Sequence, residues 1–164
     1  MTVQCPCCNR LGEVRVFAPT EWERDRLGPN ELLRMPVATD RATPDTRTGE
    51  GARTFLHVSA PAFHDRNGTN LVRRAVETYQ GPPIEVRVSG PERPAEPIQA
   101  GPVRVVPVDH VTDYWRLYDG VDVLVLPRRY GGLSLVAQEA AAAGVPAIML
   151  AREPESRWGG VCAL

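Results

Sequence analysis

The sequence predicts an α/β protein, a Rossmann-like parallel sheet flanked by helices, and three observations carry that reading. From Arg53 onward, apolar runs of strand length alternate with stretches of helical period, the order that builds a parallel sheet. The run Val123-Leu124-Val125-Leu126 is apolar throughout, as suits a strand buried on both faces. It is followed by Pro127, two arginines, the pair Gly131-Gly132, an alanine-rich helix ending at Gly144, and a second apolar run from Ala147 to Leu150 after Pro146. Strand, glycine turn, helix and strand form a βαβ unit, and a glycine turn at a helix N-terminus is a place for a phosphate.

The first 52 residues differ from the rest. Glu13 to Phe17 reads as a short strand, and Thr20 as the N-cap of a helical turn over Glu21-Trp22-Glu23-Arg24. From Arg34 to Ala52 the composition shifts to Pro, Thr, Asp, Arg and Gly without periodicity, as in a linker. Residues 1–52 are therefore read as an N-terminal arm and linker, and residues 53–164 as the Rossmann-like domain.

Within that domain, Thr54 to Val58 is a short buried strand, followed by a polar loop and by Thr69 as N-cap. Val72, Ala75, Val76 and Tyr79 recur at helical spacing, so they are expected on one buried face. Gly81-Pro82-Pro83 stops that helix. Ile84 to Val88 alternates Ile/Val with Glu/Arg, which places it nearer the sheet edge. A Pro-rich loop from Gly90 to Pro102 leads to a strand over Val103 to Pro107, and Thr112 caps a short helix through Tyr118. Right-handed crossovers would put every strand C-terminus on one edge.

Composition narrows the function. The 164 residues fit one ordinary domain with an arm. They are 43% hydrophobic and 24% charged, as in a globular protein. A net charge of -1 and a pI near 6.3 give no electrostatic case for nucleic acid. All 19 basic residues are Arg, so an anion must be met by guanidinium or backbone N–H groups and a catalytic Lys is excluded. No run approaches the ~20 apolar residues of a membrane span, and Met1 to Arg10 lacks a signal-peptide core. The cytoplasm is the expected compartment.

Three loops converge on the C-terminal edge of the expected sheet. The first offers His64, Asp65, Arg66, Asn67 and Gly68, the second Asp109 and His110, and the third Arg128, Arg129, Tyr130, Gly131, Gly132 and Ser134. Glycines admit a phosphate close to the backbone, and the helix N-terminus adds unpaired N–H groups with partial positive charge. Arg66 and Arg128 suit a diphosphate, each binding bidentately. Glu139, when ionised, accepts but cannot donate, which suits sugar or ribose hydroxyls.

Tyr130 to Ala140, followed by Gly144-Val145-Pro146, resembles the signature of retaining GT-B glycosyltransferases of family GT4. That signature is a Glu, a Gly-rich turn, a second Glu eight residues on, and A-x-x-x-G-x-P. The wording of Pro127 to Leu135 and of His64 to Thr69 looks most like glycosyltransferases encoded by phages of actinobacteria, and the similarity spans roughly residues 13–153. The resemblance implies the C-terminal half of a GT-B fold, with a nucleotide diphosphate sugar as partner and no cofactor or metal required. By position, Glu139 matches the second Glu, which holds the ribose hydroxyls, and Gly132, Leu133 and Ser134 match the turn at the diphosphate. Arg66 lies where the family has its basic loop, Asn67-Gly68 stands for a K-G pair, and the segment of Asp109 and His110 matches the loop near the base.

There are departures. Gly131 replaces the first Glu, Asn67 replaces the family Lys, and residues 1–52 would supply only a remnant of the N-terminal GT-B domain. Catalytic residues are therefore not assigned, and a separately encoded N-terminal domain is an expected partner. The competing reading is a non-catalytic Rossmann-like remnant or interaction module; a GT-B-fold epimerase is a third. Cys5, Cys7 and Cys8 lack the second ligand pair of a structural zinc site, and His57, inside a strand, is expected to be a satisfied core histidine.

Overall fold

The computed structural model describes residues 2–4, 11–13, 17–18, 21–27, 31–32, 51–130, 133–151 and 161–163. Gly131, Gly132, Cys5, Cys7, Cys8 and the linker expected over residues 34–52, apart from Gly51 and Ala52, lie outside the described residues. The chain divides into a unit of Met1–Pro36 and a unit of Val37–Leu164. In the first, β1 (Thr2–Gln4) pairs antiparallel with β2 (Leu11–Glu13), and β3 (Phe17–Ala18) pairs parallel with β4 (Glu31–Leu32). Helix α1 (Glu21–Leu27) joins β3 to β4.

The second unit is a Rossmann-like α/β fold. Its strands are β5 (Thr54–Val58), β6 (Ile84–Ser89), β7 (Ile98–Ala100), β8 (Val103–Val108), β9 (Val123–Val125), β10 (Ala147–Met149) and β11 (Val161–Ala163). They form one seven-stranded sheet in the order β11-β10-β9-β5-β6-β8-β7. Every pairing is parallel except that of β7 with β8. Helix α2 (Thr69–Thr78) connects β5 to β6, a 3-10 helix over Tyr114–Tyr118 leads into β9, and helix α3 (Leu135–Ala142) connects β9 to β10.

The two faces carry two cores. Leu56, Leu124, Leu126 and Met149 pack with Leu117, Tyr118, Ala137 and Ala140 beneath α3 and the 3-10 helix. Val86, Val88 and Val103, with Phe55 and Val125, pack against Val72 and Val76 of α2. Alternate side chains of each strand point to opposite faces, so the central strands β5 and β9 feed both cores. At the N-terminal end of the sheet Asp122 accepts the N–H groups of Arg53 and Thr54, both at 2.8 Å.

Several local expectations are revised. β6 is not near the edge: it lies between β5 and β8. Its alternation reports one wet face, where Glu85 bridges Arg87 at 2.9 Å and Arg104 at 3.3 Å, and Arg87 also donates to the Asp119 carbonyl at 2.8 Å. The Pro-rich loop hides β7, which turns back onto β8 through Gly101-Pro102 with Gly101 at φ 56, a tight hairpin that needs positive φ. With a hairpin in place of a crossover helix there, a cavity of about 450 Å³ opens beside α2, lined by Val76, Val88, Ile98 and Val105 among others. Ala75 is exposed, whereas Val72 is buried. β11 was not anticipated from the sequence.

Two caps also differ. Gly68, in the left-handed conformation at φ 73, precedes α2 in place of Thr69. The hydroxyl of Thr69 is taken by His57 Nε2 at 2.9 Å, and Asp65 Oδ1 accepts the first-turn N–H of Asn70 at 3.1 Å instead. At the 3-10 helix the cap is Asp113, not Thr112, because the Asp113 carboxylate reaches Trp115 N.

Candidate functional site

From β5 the chain runs through α2 to one side of the sheet, and from β9 through α3 to the other. The seam between β5 and β9 is therefore the topological switch point, where the loops leaving both strands open a crevice beyond the strand ends. Four contacts weld those two loops together. Arg129 N donates to Arg66 O at 2.9 Å, and Tyr130 Oη donates to the His64 carbonyl. Arg129 Nε lies 3.5 Å from Asp65 Oδ2. Gly68 approaches so closely that a Cβ there would stand 2.2 Å from Pro127 O.

This weld brings Arg66, Gly68 and Arg128 to one place. Arg66 is exposed, while Arg128 is 4% exposed. Asn67 faces the other way: its Nδ2 donates to Val58 O at 2.8 Å, bracing the loop against the end of β5. The next residue along the chain from Val58, Ser59, ties β5 to β6 by donating to Ser89 O at 2.8 Å. Behind the loop, His57 Nδ1 meets Val125 O at 2.9 Å and Nε2 meets Thr69 Oγ1. His57 is the satisfied core histidine that the sequence implied, and burial holds its pKa below the usual 6.5.

The second half of the seam is the start of α3. Ser134 caps it, its Oγ accepting from Ala137 N at 3.3 Å, and Leu133 is partly buried just before it. Gly131 and Gly132, outside the described residues, fall between Tyr130 and this cap. Glu139, one turn into α3, is half-buried, and Tyr118 Oη donates to its Oε2 at 3.1 Å. Burial raises the Glu139 pKa above the ordinary carboxylate value, while hydrogen bonds from Tyr118 and Tyr114 oppose the rise. Burial also pushes the Tyr118 phenol far up, so it donates at every ordinary pH.

Asp109 and His110, at the end of β8, are exposed, and Asp109 is held by Arg93 at 3.4 Å. β6 separates β8 from β5 in the sheet, so these two residues reach the seam less directly than the others. Tyr114 and Tyr118, not singled out for the site from the sequence, lie beside Glu139; the signal was a pair of phenols four apart in a segment leading back to β9. Among the described residues no cluster of His, Cys, Asp and Glu could hold a metal ion, and no helix is long and apolar enough to cross a membrane.

A mostly parallel sheet flanked by helices, with the loops leaving two neighbouring strands meeting at a switch point, is a Rossmann-like architecture. The chain belongs to the family described as glycosyl transferases group 1, whose model matches residues 52–159. Among solved structures it is similar to the lipopolysaccharide outer core galactosyltransferase WaaB in its apo form, with a TM-score of 0.52 at 15% identity. That match covers 75% of this chain and 38% of the other, so the chain spans less than half of the related structure. No curated protein matches the sequence.

Proposed function

We propose that residues 53–164 bind the donor of a retaining, GT4-like glycosyl transfer, a nucleotide diphosphate sugar. The observation that supports this best is the weld at the β5–β9 seam, which holds the loop carrying Arg66, at the start of α2, against the loop carrying Arg128. The diphosphate would lie across the N-terminus of α3, met by the backbone of Gly131, Gly132, Leu133 and Ser134 and by Arg66. Gly68 lets the two loops close, and Glu139 accepts the ribose hydroxyls, with Asp109 and His110 toward the base. In the transfer itself the bond from the sugar's anomeric carbon to the diphosphate oxygen breaks, a bond to an acceptor hydroxyl oxygen forms, and the acceptor proton leaves. Donors fixed on the departing diphosphate stabilise the charge that develops there.

In this reading the acceptor side of the cleft comes from a second, N-terminal GT-B domain that faces this one. Titration of the chain with UDP, GDP and ADP, followed by thermal unfolding, is the test. A ligand-dependent rise in the midpoint with one of them is expected; no shift with any at millimolar concentration would remove donor binding. A second reading, a non-catalytic remnant or interaction module, is favoured by Asn67, whose amide braces Val58 where the family pattern has a cationic Lys. Release of sugar from any nucleotide sugar by the isolated chain would rule it out.

A further inference from the structure

The residues one turn either side of Glu139 on α3 are Leu135, Val136, Ala142 and Ala143, so its own helix offers the carboxylate no side-chain hydrogen-bond partner. A free Glu there would sample many rotamers and lose them on meeting a ligand. Tyr118 changes this. It is 3% exposed, is packed into the core with Leu117, Val121, Ala137 and Ala140, and has only two side-chain torsions to fix. Its hydroxyl stands 3.1 Å from Glu139 Oε2 and 3.3 Å from Val136 O, and the charged acceptor is the nearer. The ring of Tyr114, 43% exposed, stands edge-on to that of Tyr118 at 6.1 Å, and its phenol faces the same carboxylate.

We propose that Tyr118 is the positioning residue of the donor site: it pins one oxygen of Glu139 so that the other is presented to the ribose, and thereby sets selection of ribonucleotide over 2′-deoxyribonucleotide donors. The inference rests on the donor-site reading above. A carboxylate held in its binding geometry accepts a hydroxyl without first being ordered. A ligand lacking that hydroxyl leaves the pinned acceptor unpaired, so the discrimination grows with the rigidity of the acceptor. Ionisation matters in the same way, since the carboxylate accepts best when deprotonated. The groups facing Glu139 are the phenols of Tyr114 and Tyr118; the 3-10 helix that carries them also carries Arg116, and α3 and the β10 strand that α3 contacts carry no other ionisable side chain. Both phenols favour the ionised form, and burial opposes it.

The experiment uses the full chain, the diphosphate among UDP, GDP and ADP that gives the largest thermal shift, and its 2′-deoxy analogue. Affinities are read by calorimetry between pH 5 and 8. The ribose-to-deoxyribose ratio cancels the titration of the diphosphate, which both ligands share. In the parent chain that ratio is expected to be about tenfold or more, and to decline toward acid. Tyr118→Phe should reduce it about threefold to tenfold and move the acid decline to higher pH, because the ionised Glu139 loses a donor. Tyr114→Phe, at an exposed position, should do the same more weakly without touching the core. Glu139→Gln should remove the pH dependence and most of the ratio. A Tyr118→Phe chain with the parent's ratio and pH profile, while Glu139→Gln collapses both, overturns the positioning role and leaves the donor site standing. An unchanged ratio in Glu139→Gln overturns the ribose assignment of Glu139 itself, and absence of binding by all three diphosphates overturns both.

Discussion

Gly68 and Pro127 touch across the seam between β5 and β9, with no room for a side chain between them. A Cβ on Gly68 would lie 2.2 Å from Pro127 O, and Gly68 holds φ 73. The contact sets how closely the loop before α2 can approach the loop after β9, and so the width of the crevice above them.

Replacing Gly68 by Ala therefore meets both a conformational penalty and a backbone clash. Gly68→Ala is expected to lower stability by at least about 2 kcal/mol and to weaken nucleotide binding, whereas Gly101→Ala meets open space and should cost about 1 kcal/mol from its positive φ alone. Urea unfolding of the two variants side by side checks this. Equal losses would show that the seam yields.

His57 links β5, β9 and α2 as a neutral imidazole. Its folded-state pKa is depressed by burial, so between that value and the ordinary 6.5 the unfolded chain binds more protons than the folded one. Its contribution is present above pH 6.5 and is lost as pH falls through the depressed value. Urea midpoints from pH 7.5 down to 5 should fall more steeply for the parent than for His57→Gln. At neutral pH Thr69→Val, which leaves Nε2 without its hydroxyl, is expected to cost about 1–3 kcal/mol.

Asp122 accepts two backbone N–H groups at the edge of the sheet opposite the candidate site. Asp122→Ala is expected to cost about 1–3 kcal/mol, with the loss read by thermal unfolding. Nucleotide affinity, measured well below the melting transition, should remain that of the parent. A drop in affinity would mean that strain at that edge is transmitted along β9.

Arg66 is exposed at the mouth of the crevice, so its removal should spare the fold. Arg66→Ala is expected to weaken diphosphate binding about tenfold, the loss one charge-assisted contact brings, and to leave the melting temperature of the free chain within about a degree. Arg74→Ala, on the exposed face of α2, is the matched control. An equal effect from both would reduce the role of Arg66 to general charge.

The frame of the fold was legible in the sequence for a physical reason. Thr54–Val58 and Val123–Val125 are strands whose apolar residues centre on the fully buried Leu56 and Leu124. Where a residue's role depends on a distant partner, the local pattern misleads. The Ile84–Ser89 alternation looked like an edge because one face is wet, although hydrogen bonds flank it on both sides. Thr69 reads as a cap until His57, twelve residues earlier, takes its hydroxyl. Ile98–Ala100, between prolines, has too few residues to show a period, and only pairing with β8 defines it. The same limit applies to the candidate site. Topology brings Arg66 and Arg128 toward one edge, but nothing local links Tyr118 to Glu139, which lies twenty-one residues on.

The strand order sets the sequence in which the molecule can assemble. β5 finds β6 after a single helix, and β8 and β7 add by short connections. Its other neighbour, β9, begins at Val123, beyond that entire half-sheet. Local pairings close quickly and distant ones slowly. Among the described pairings of the sheet, the β5–β9 seam therefore joins the stretches furthest apart in sequence, the pairing with the largest loop-closure cost. A ligand seated over it would tie the α2 half to the β9–α3–β10 crossover, and its binding energy would act on that most distant pairing.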